Sequence, residues 1–115
     1  MIKNQKTIFL IALILLVSTS PSASDKDIIK VQGVVMSIDL KRNLININER
    51  SFTWDHGTAF YNERGIPIGI EKMKPNTWVY IEAVTETHKR PVARKIYHLP
   101  RFINEKEKHL YSFIR

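Results

Sequence analysis

No cysteine occurs anywhere in the 115 residues. That absence excludes a disulfide framework, thiolate catalysis, Cys-based zinc sites and iron–sulfur clusters. It also excludes a bacterial lipoprotein anchor, which needs a cysteine after the leader. A bilayer-crossing run is missing as well. The longest apolar stretch runs from Ile8 to Val17, about 15 Å of helix where a crossing takes ~20 residues. Neither an internal repeat nor a low-complexity stretch is present.

The short apolar run is informative through its flanks. Lys3 and Lys6 precede it, and Ser22-Ala-Ser24 closes a small polar stretch just before Asp25. A charged start, a short apolar centre and small residues at the cleavage site predict a Sec-type signal peptide over residues 1–24. The alternative is an uncleaved N-terminal anchor. Cleavage leaves a mature chain of about 91 residues, enough for one small domain with one modest core. Lacking disulfides, such a domain depends on packing and a closed hydrogen-bond network, which favours a compact barrel.

The chain carries 18 Lys and Arg against 11 Asp and Glu. Removing Lys3 and Lys6 leaves 16 basic and 11 acidic residues, a net charge of +5 with histidines neutral. A surface of that sign attracts anionic lipid headgroups, acidic glycans, cell-wall polymers or nucleic acid, and it also serves plain solubility.

From Ile28 onward the apolar period is two. Val34, Met36, Ile38 and Leu40 alternate with Val35, Ser37 and Asp39, predicting a long first strand with Met36 as core filler. Gly33 interrupts it and marks a bulge or a sharp coil. After a polar turn at 39–43, Ile45 and Ile47 face inward and Asn46 and Asn48 outward. Glu49-Arg50 turns the chain into a strand carrying Phe52 and Trp54 on one face. Residues 58–61 form a short strand, and 62–65 a turn. Pro67 and Gly69 preclude a regular strand over 66–73, where a helical turn fits at 70–73. Residues 77–85 give the strongest strand signal, apolar on both parities and therefore covered on two sides. A basic loop at 87–91 leads to the last strand, 92–99, which Pro100 stops. The tail, 101–115, shows no apolar stripe and reads as a flexible or weakly helical segment.

Five to six short strands with regular turn signals predict an all-β fold, a small OB-like barrel over residues 25–100 between the signal peptide and the tail. More narrowly, the chain resembles DUF5666, a bacterial exported domain of unknown function. The residues that carry the likeness are Val31-Gln-Gly-Val-Val35, Leu44-Ile-Asn-Ile47, Thr58, Gly65, Lys74-Pro-Asn-Thr-Trp-Val79 and Val92-Ala-Arg-Lys-Ile96. Asn76 stands where that family usually has Gly, and Asn also tolerates positive φ. The resemblance implies a scaffold; it transfers no catalytic residue, and OB-type barrels host many unrelated functions.

For catalysis, Asp55 and His56 are adjacent, which sends them to opposite faces of a strand. Ser37, Ser51 and Thr53 lack any triad context, and nothing singles out Glu82 and Glu86 as an acid–base pair. A non-enzyme without a cofactor is expected. Metal binding is one alternative. Met36, Trp54, His56 and Met73 supply thioether and imidazole suited to Cu(I), as in copper-binding periplasmic OB proteins, although the paired Met-x-Met of that group is missing. His56, His88, His98 and His109 show no i, i+2 or i, i+4 pairing.

Nucleic-acid binding is the other alternative. Phe52, Trp54, Tyr61, Trp78, Tyr80 and Tyr97 would stack bases beside basic residues. The reading that asks least of the sequence is an exported accessory module of the periplasm or envelope. It contacts a protein or an anionic polymer through Lys89, Arg90, Arg94 and Lys95, with Arg50 and Arg64 as neighbours.

Overall fold

The computed structural model describes residues 26–114; the predicted leader lies outside the described residues. Six strands form one sheet: β1 (Lys26–Asp39), β2 (Leu44–Ile47), β3 (Arg50–Thr53), β4 (Ala59–Tyr61), β5 (Trp78–Glu86) and β6 (Val92–Leu99). Their order is β3-β2-β1-β5-β6-β4, and a further pairing of β3 with β6 closes the circuit. That closing pair is parallel, as is β4–β6, while every other neighbouring pair is antiparallel. The circuit β1-β2-β3-β6-β5 is the expected five-stranded OB-type barrel, with β4 continuing the line of β3 along β6. Among the described residues the only helical pieces are two 3-10 turns, Ile70–Lys72 and Lys108–Leu110. No helix of the described residues is long and apolar enough to cross a membrane.

Closure depends on β1 serving two partners. Residues 26–34 pair with β5, and residues 35–39 pair with β2. The handover needs Gly33, because a Cβ there would fall 2.4 Å from Ile47 Cγ2 and 2.5 Å from Asn48 Nδ2. The Asn48 side chain then extends the β2 ladder: its Oδ1 accepts from the Val34 N–H and its Nδ2 donates to the Gln32 carbonyl. Gly33 itself lies in unbroken register with β5, and the bulge expected there lies three residues on, between Val35 and Ser37.

That bulge corrects the expected role of Met36. Val35 keeps the inward parity of Ile29 and Val31, Met36 is the extra residue, 56% exposed and filling no core, and Ile38 resumes the inward face after it. The β2–β3 turn also sits one residue early. Asn48 and Glu49 both have positive φ (50° and 69°), and Ile47 pairs directly with Arg50. Two left-handed residues between strands make the type I′ geometry that suits the natural strand twist. Asn76 also adopts positive φ, at 68°, as its amide side chain permits.

The barrel interior contains Val35, Ile45, Ile47, Phe52, Met73, Val79, Ile81, Ala83, Ala93 and Ile96. A second cluster lies on the outer face of β5 and β6: Tyr80, Tyr97 and Leu99 pack with Ile103 and Ile114 of the tail. Hence β5 is covered on both sides, as its apolar parities require. The tail carries one 3-10 turn and is held by specific bonds. The Gln32 amide donates to the Ile103 carbonyl and accepts its N–H, both at 2.8 Å. Phe113 stacks on Tyr97 with centroids 3.8 Å apart and planes within 1°. Arg101 forms a two-pronged ion pair with Glu107.

Two substitutions test the closure. Gly33→Ala should lower unfolding stability by about 1–3 kcal/mol through overpacking against Ile47 and Asn48. Glu49→Gly should raise it by about 0.5–1 kcal/mol, by relieving the left-handed conformation that an L side chain disfavours. Denaturant melts of both variants check the pair, and opposite signs are required. In the tail, Ile103→Ala should cost about 2–4 kcal/mol by opening a cavity in the outer cluster; an unchanged melt would mean that the tail adds no stability.

Candidate functional site

The hairpin between β5 and β6 is built by local chemistry. His88 takes φ 65°, and the Lys89 N–H donates to the Glu86 carbonyl at 3.1 Å. Pro91 lacks an N–H and is buried at the root. Its carbonyl accepts the Thr53 N–H at 2.9 Å and the Thr53 hydroxyl at 3.3 Å, fastening the hairpin to the end of β3.

A register shift then decides what Arg94 does. Glu82 opposes Lys95 while Ala83 opposes Ala93, which leaves Arg94 as the extra residue on β6. Bulged residues are re-aimed, and Arg94 reaches across to the loop after β3. Its Nη1 and Nη2 donate to Asp55 Oδ1 and Oδ2 at 3.1 and 3.3 Å. Asp55 also accepts the Gly57 N–H at 2.8 Å, and the Thr58 hydroxyl donates to the Ala93 carbonyl at 2.6 Å. The Arg94 guanidinium first, and then the Gly57 N–H, hold the Asp55 carboxyl below its ordinary value.

A groove of about 470 Å³ results, lined by Val84, Glu86, Lys89, Arg90, Val92 and Arg94. Val84 and Val92 are register partners and supply its apolar floor. Of the three cations on its rim, Lys89 pairs with Glu86 at 3.4 Å and Arg94 with Asp55. Arg90 is exposed and forms no ion pair with any described residue.

Of the six basic residues named from the sequence, the groove therefore gathers Lys89, Arg90 and Arg94. Lys95 projects from β6 in register with Glu82 and Ala59 and does not line it. Arg50 stands at the opposite end of β3 from Thr53, its Cζ 5.7 Å from the Phe52 ring centroid. Arg64 is exposed in the turn after β4, where its N–H donates to Asn62 Oδ1. The basic turn between β1 and β2 is not among the six residues expected to make the contact. Thr53 pairs with Leu44 on one side and Val92 on the other, so Lys41 and Arg42 stand beside the same end of β3 as the hairpin. Their charge was visible, but their neighbourhood follows only from barrel closure.

The other candidates occupy mixed environments. Met73 is buried in the core, Met36 and His56 are exposed, and Trp54 is half-buried with its edge toward Phe60. Among the described residues, no three His, Asp or Glu side chains are grouped to hold a metal ion. None of Phe52, Trp54, Tyr61, Trp78, Tyr80 and Tyr97 is exposed. Phe52 fills the barrel, and Tyr61, Trp78, Tyr80 and Tyr97 pack in the outer cluster beneath the tail. Ser37 and Ser51 join Asn46 in a hydrogen-bonded row across three strands, while the Thr53 hydroxyl is committed to Pro91.

No family model matches the chain, and no curated protein does. Among solved structures, the fimbrial biogenesis protein PilY2 from Pseudomonas aeruginosa PAO1 is similar. It shares 19% identity at a TM-score of 0.49, over 75% of this chain and 99% of that one.

The Asp55–Arg94 pair has a definite pH signature. A carboxylate whose folded pKa is depressed adds stability above its unfolded value, near 3.9, and loses it as pH falls through the folded one. An NMR titration of the Asp55 carboxyl should find its midpoint below that of an ordinary aspartate. Arg94→Gln should move the midpoint upward. A midpoint unchanged by the substitution would show that Arg94 is not the main cause.

Proposed function

We propose that this protein is an exported, non-catalytic accessory module of the bacterial envelope that binds a protein or anionic polymer at the groove of Lys89, Arg90 and Arg94. The observation that carries this reading is the ion pairing around the groove. Two of its cations are neutralised by Glu86 and Asp55, and Arg90, above the valine floor, has no ion pair among the described residues. An unpaired guanidinium at a loop tip is a ready partner for carboxylate or phosphate, which it engages bidentately. The pairing of Arg94 with Asp55 fixes one wall of the groove, so the partner meets a preformed surface rather than a loose loop.

Export rests on the leader pattern of residues 1–24, and the net charge of +5 that its removal leaves suits an anionic partner. The DUF5666 resemblance belongs to the same reading, since it concerns exported scaffolds with no transferred chemistry. Lys95, Lys41 and Arg42 extend the positive field around the groove without lining it.

The experiment is a retention assay. Immobilised protein, as processed by its host, should hold an envelope component at low salt and release it as salt rises. Double charge reversal, Lys89→Glu with Arg90→Glu, should abolish retention while circular dichroism stays unchanged. Equal retention by the folded double variant would place the contact elsewhere.

A further inference from the structure

Among the described residues the barrel closes with an uncovered edge. From residue 35 onward β1 has β2 beside it, but over residues 26–31 its only strand neighbour among the described residues is β5. The direction of the backbone along this stretch is fixed by its last members. The Val34 N–H and C=O both bond to Asn48, on the β2 side, and the Gln32 C=O does the same. Val35 bonds instead to Thr77 and Asn76, on the β5 side. In an antiparallel ladder successive residues alternate between the two sides. Because the register with β5 runs unbroken from Lys26 to Val34, the N–H and C=O of Ile28 and Lys30 point away from β5. No described residue bonds them.

The side chains beside these groups define what fits. Ile28 is 70% exposed, unusual for a large aliphatic residue in a strand, and Lys30 is exposed with no ion pair among the described residues. They stand two residues apart on the outer face. Ile29 and Val31, of the other parity, pack on the barrel core. An aliphatic contact and a cation therefore repeat at strand spacing along a row of free backbone groups.

A second copy of the chain fits this edge poorly. Antiparallel self-pairing centred on Lys30 sets Lys30 against Lys30, and centring on Ile29 sets each Ile28 against a Lys30, which leaves both lysines without a carboxylate. Like charges directly opposite are destabilising, and edge lysines are a known guard against such pairing. A carbohydrate or lipid headgroup offers no alternating row of amides to match.

We propose that the edge of β1 at Ile28 and Lys30 is a strand-addition site. It takes an extended segment of a partner protein that sets an aliphatic side chain beside Ile28 and a carboxylate beside Lys30. Main-chain bonds supply the affinity and the two side-chain positions supply the selectivity. The site stands on backbone groups and is independent of the charges on the hairpin.

The test uses the protein as processed by its host and a capped peptide of repeating Thr-Ile-Thr-Glu. In the free protein the amides of Ile28 and Lys30 should exchange rapidly with solvent deuterium while those of Ile29 and Val31 are protected. The peptide should bind and protect Ile28 and Lys30. A version N-methylated at its isoleucine and glutamate residues should not bind. Lys30→Pro, which removes the outward N–H together with the ammonium, should weaken peptide binding about tenfold or more, and Lys30→Ala, which removes the ammonium alone, about threefold. Three results would overturn the proposal: equal affinity for the N-methylated peptide, protection of both amides before peptide is added, or protection that grows with protein concentration alone, which would assign the edge to a second copy. Should Lys30→Pro unfold the barrel, the N-methylated comparison on the unaltered protein decides.

Discussion

At Gly33 the side chains of Ile47 and Asn48 lie so close over the β1 backbone that a single methyl group has no room. The whole architecture depends on that approach. It lets one strand leave β5 and take up β2, which brings β3 round to β6 and shuts the circuit. Asn48 secures the junction, its side-chain amide standing in for the missing ladder residue. Closure is what a small domain without disulfides needs, because it satisfies backbone groups without a covalent staple. Among the described residues it is also incomplete, since β1 takes up β2 only from residue 35 and the first part of its outer edge has no strand beside it.

The interior of such a barrel is narrow, and its residues show it. Ala83 faces Ala93 across β5 and β6, and among the described residues Phe52 is the only aromatic ring fully enclosed. Most of the aromatic side chains are spent outside, where the tail folds back over β5 and β6. Tyr97 is at the centre of that layer, stacked between Tyr61 and Phe113 neighbours with centroid distances of 4.9 and 3.8 Å. Its burial pushes the phenol pKa up. The tail is thus a second packing layer, and its charged centre remains at the surface, where Arg101 and Glu107 tie its turns together.

Electrostatics at the hairpin follow a similar division. Exposed ion pairs contribute little to stability, so the pairing of Lys89 with Glu86 and of Arg94 with Asp55 matters more for arrangement than for energy. It orients two cations and leaves Arg90 without an ion pair among the described residues. The groove and the uncovered β1 edge meet on one sheet, because Ile28, Val84 and Val92 stand in a single cross-strand row. One protein surface therefore offers charge at one end and backbone hydrogen bonds at the other.

Several elements were legible from residue order alone. Period-two alternation located Ile45 and Ile47 inside. The double-sided apolarity of residues 77–85 announced that β5 is covered on both faces, and Pro100 marked the end of β6. These are local properties, set by side-chain alternation and by the backbone limits of Gly, Asn and Pro. Met36 was misplaced because one inserted residue reverses the parity of everything after it, and nothing in a single strand's sequence announces such a bulge. The grouping of Lys89, Arg90 and Arg94, the separation of Arg50 and Arg64 from them, and the docking of the tail through Gln32 were decided only by tertiary structure. Each depends on which strands meet when the barrel closes, and that meeting is set by register between residues tens of positions apart.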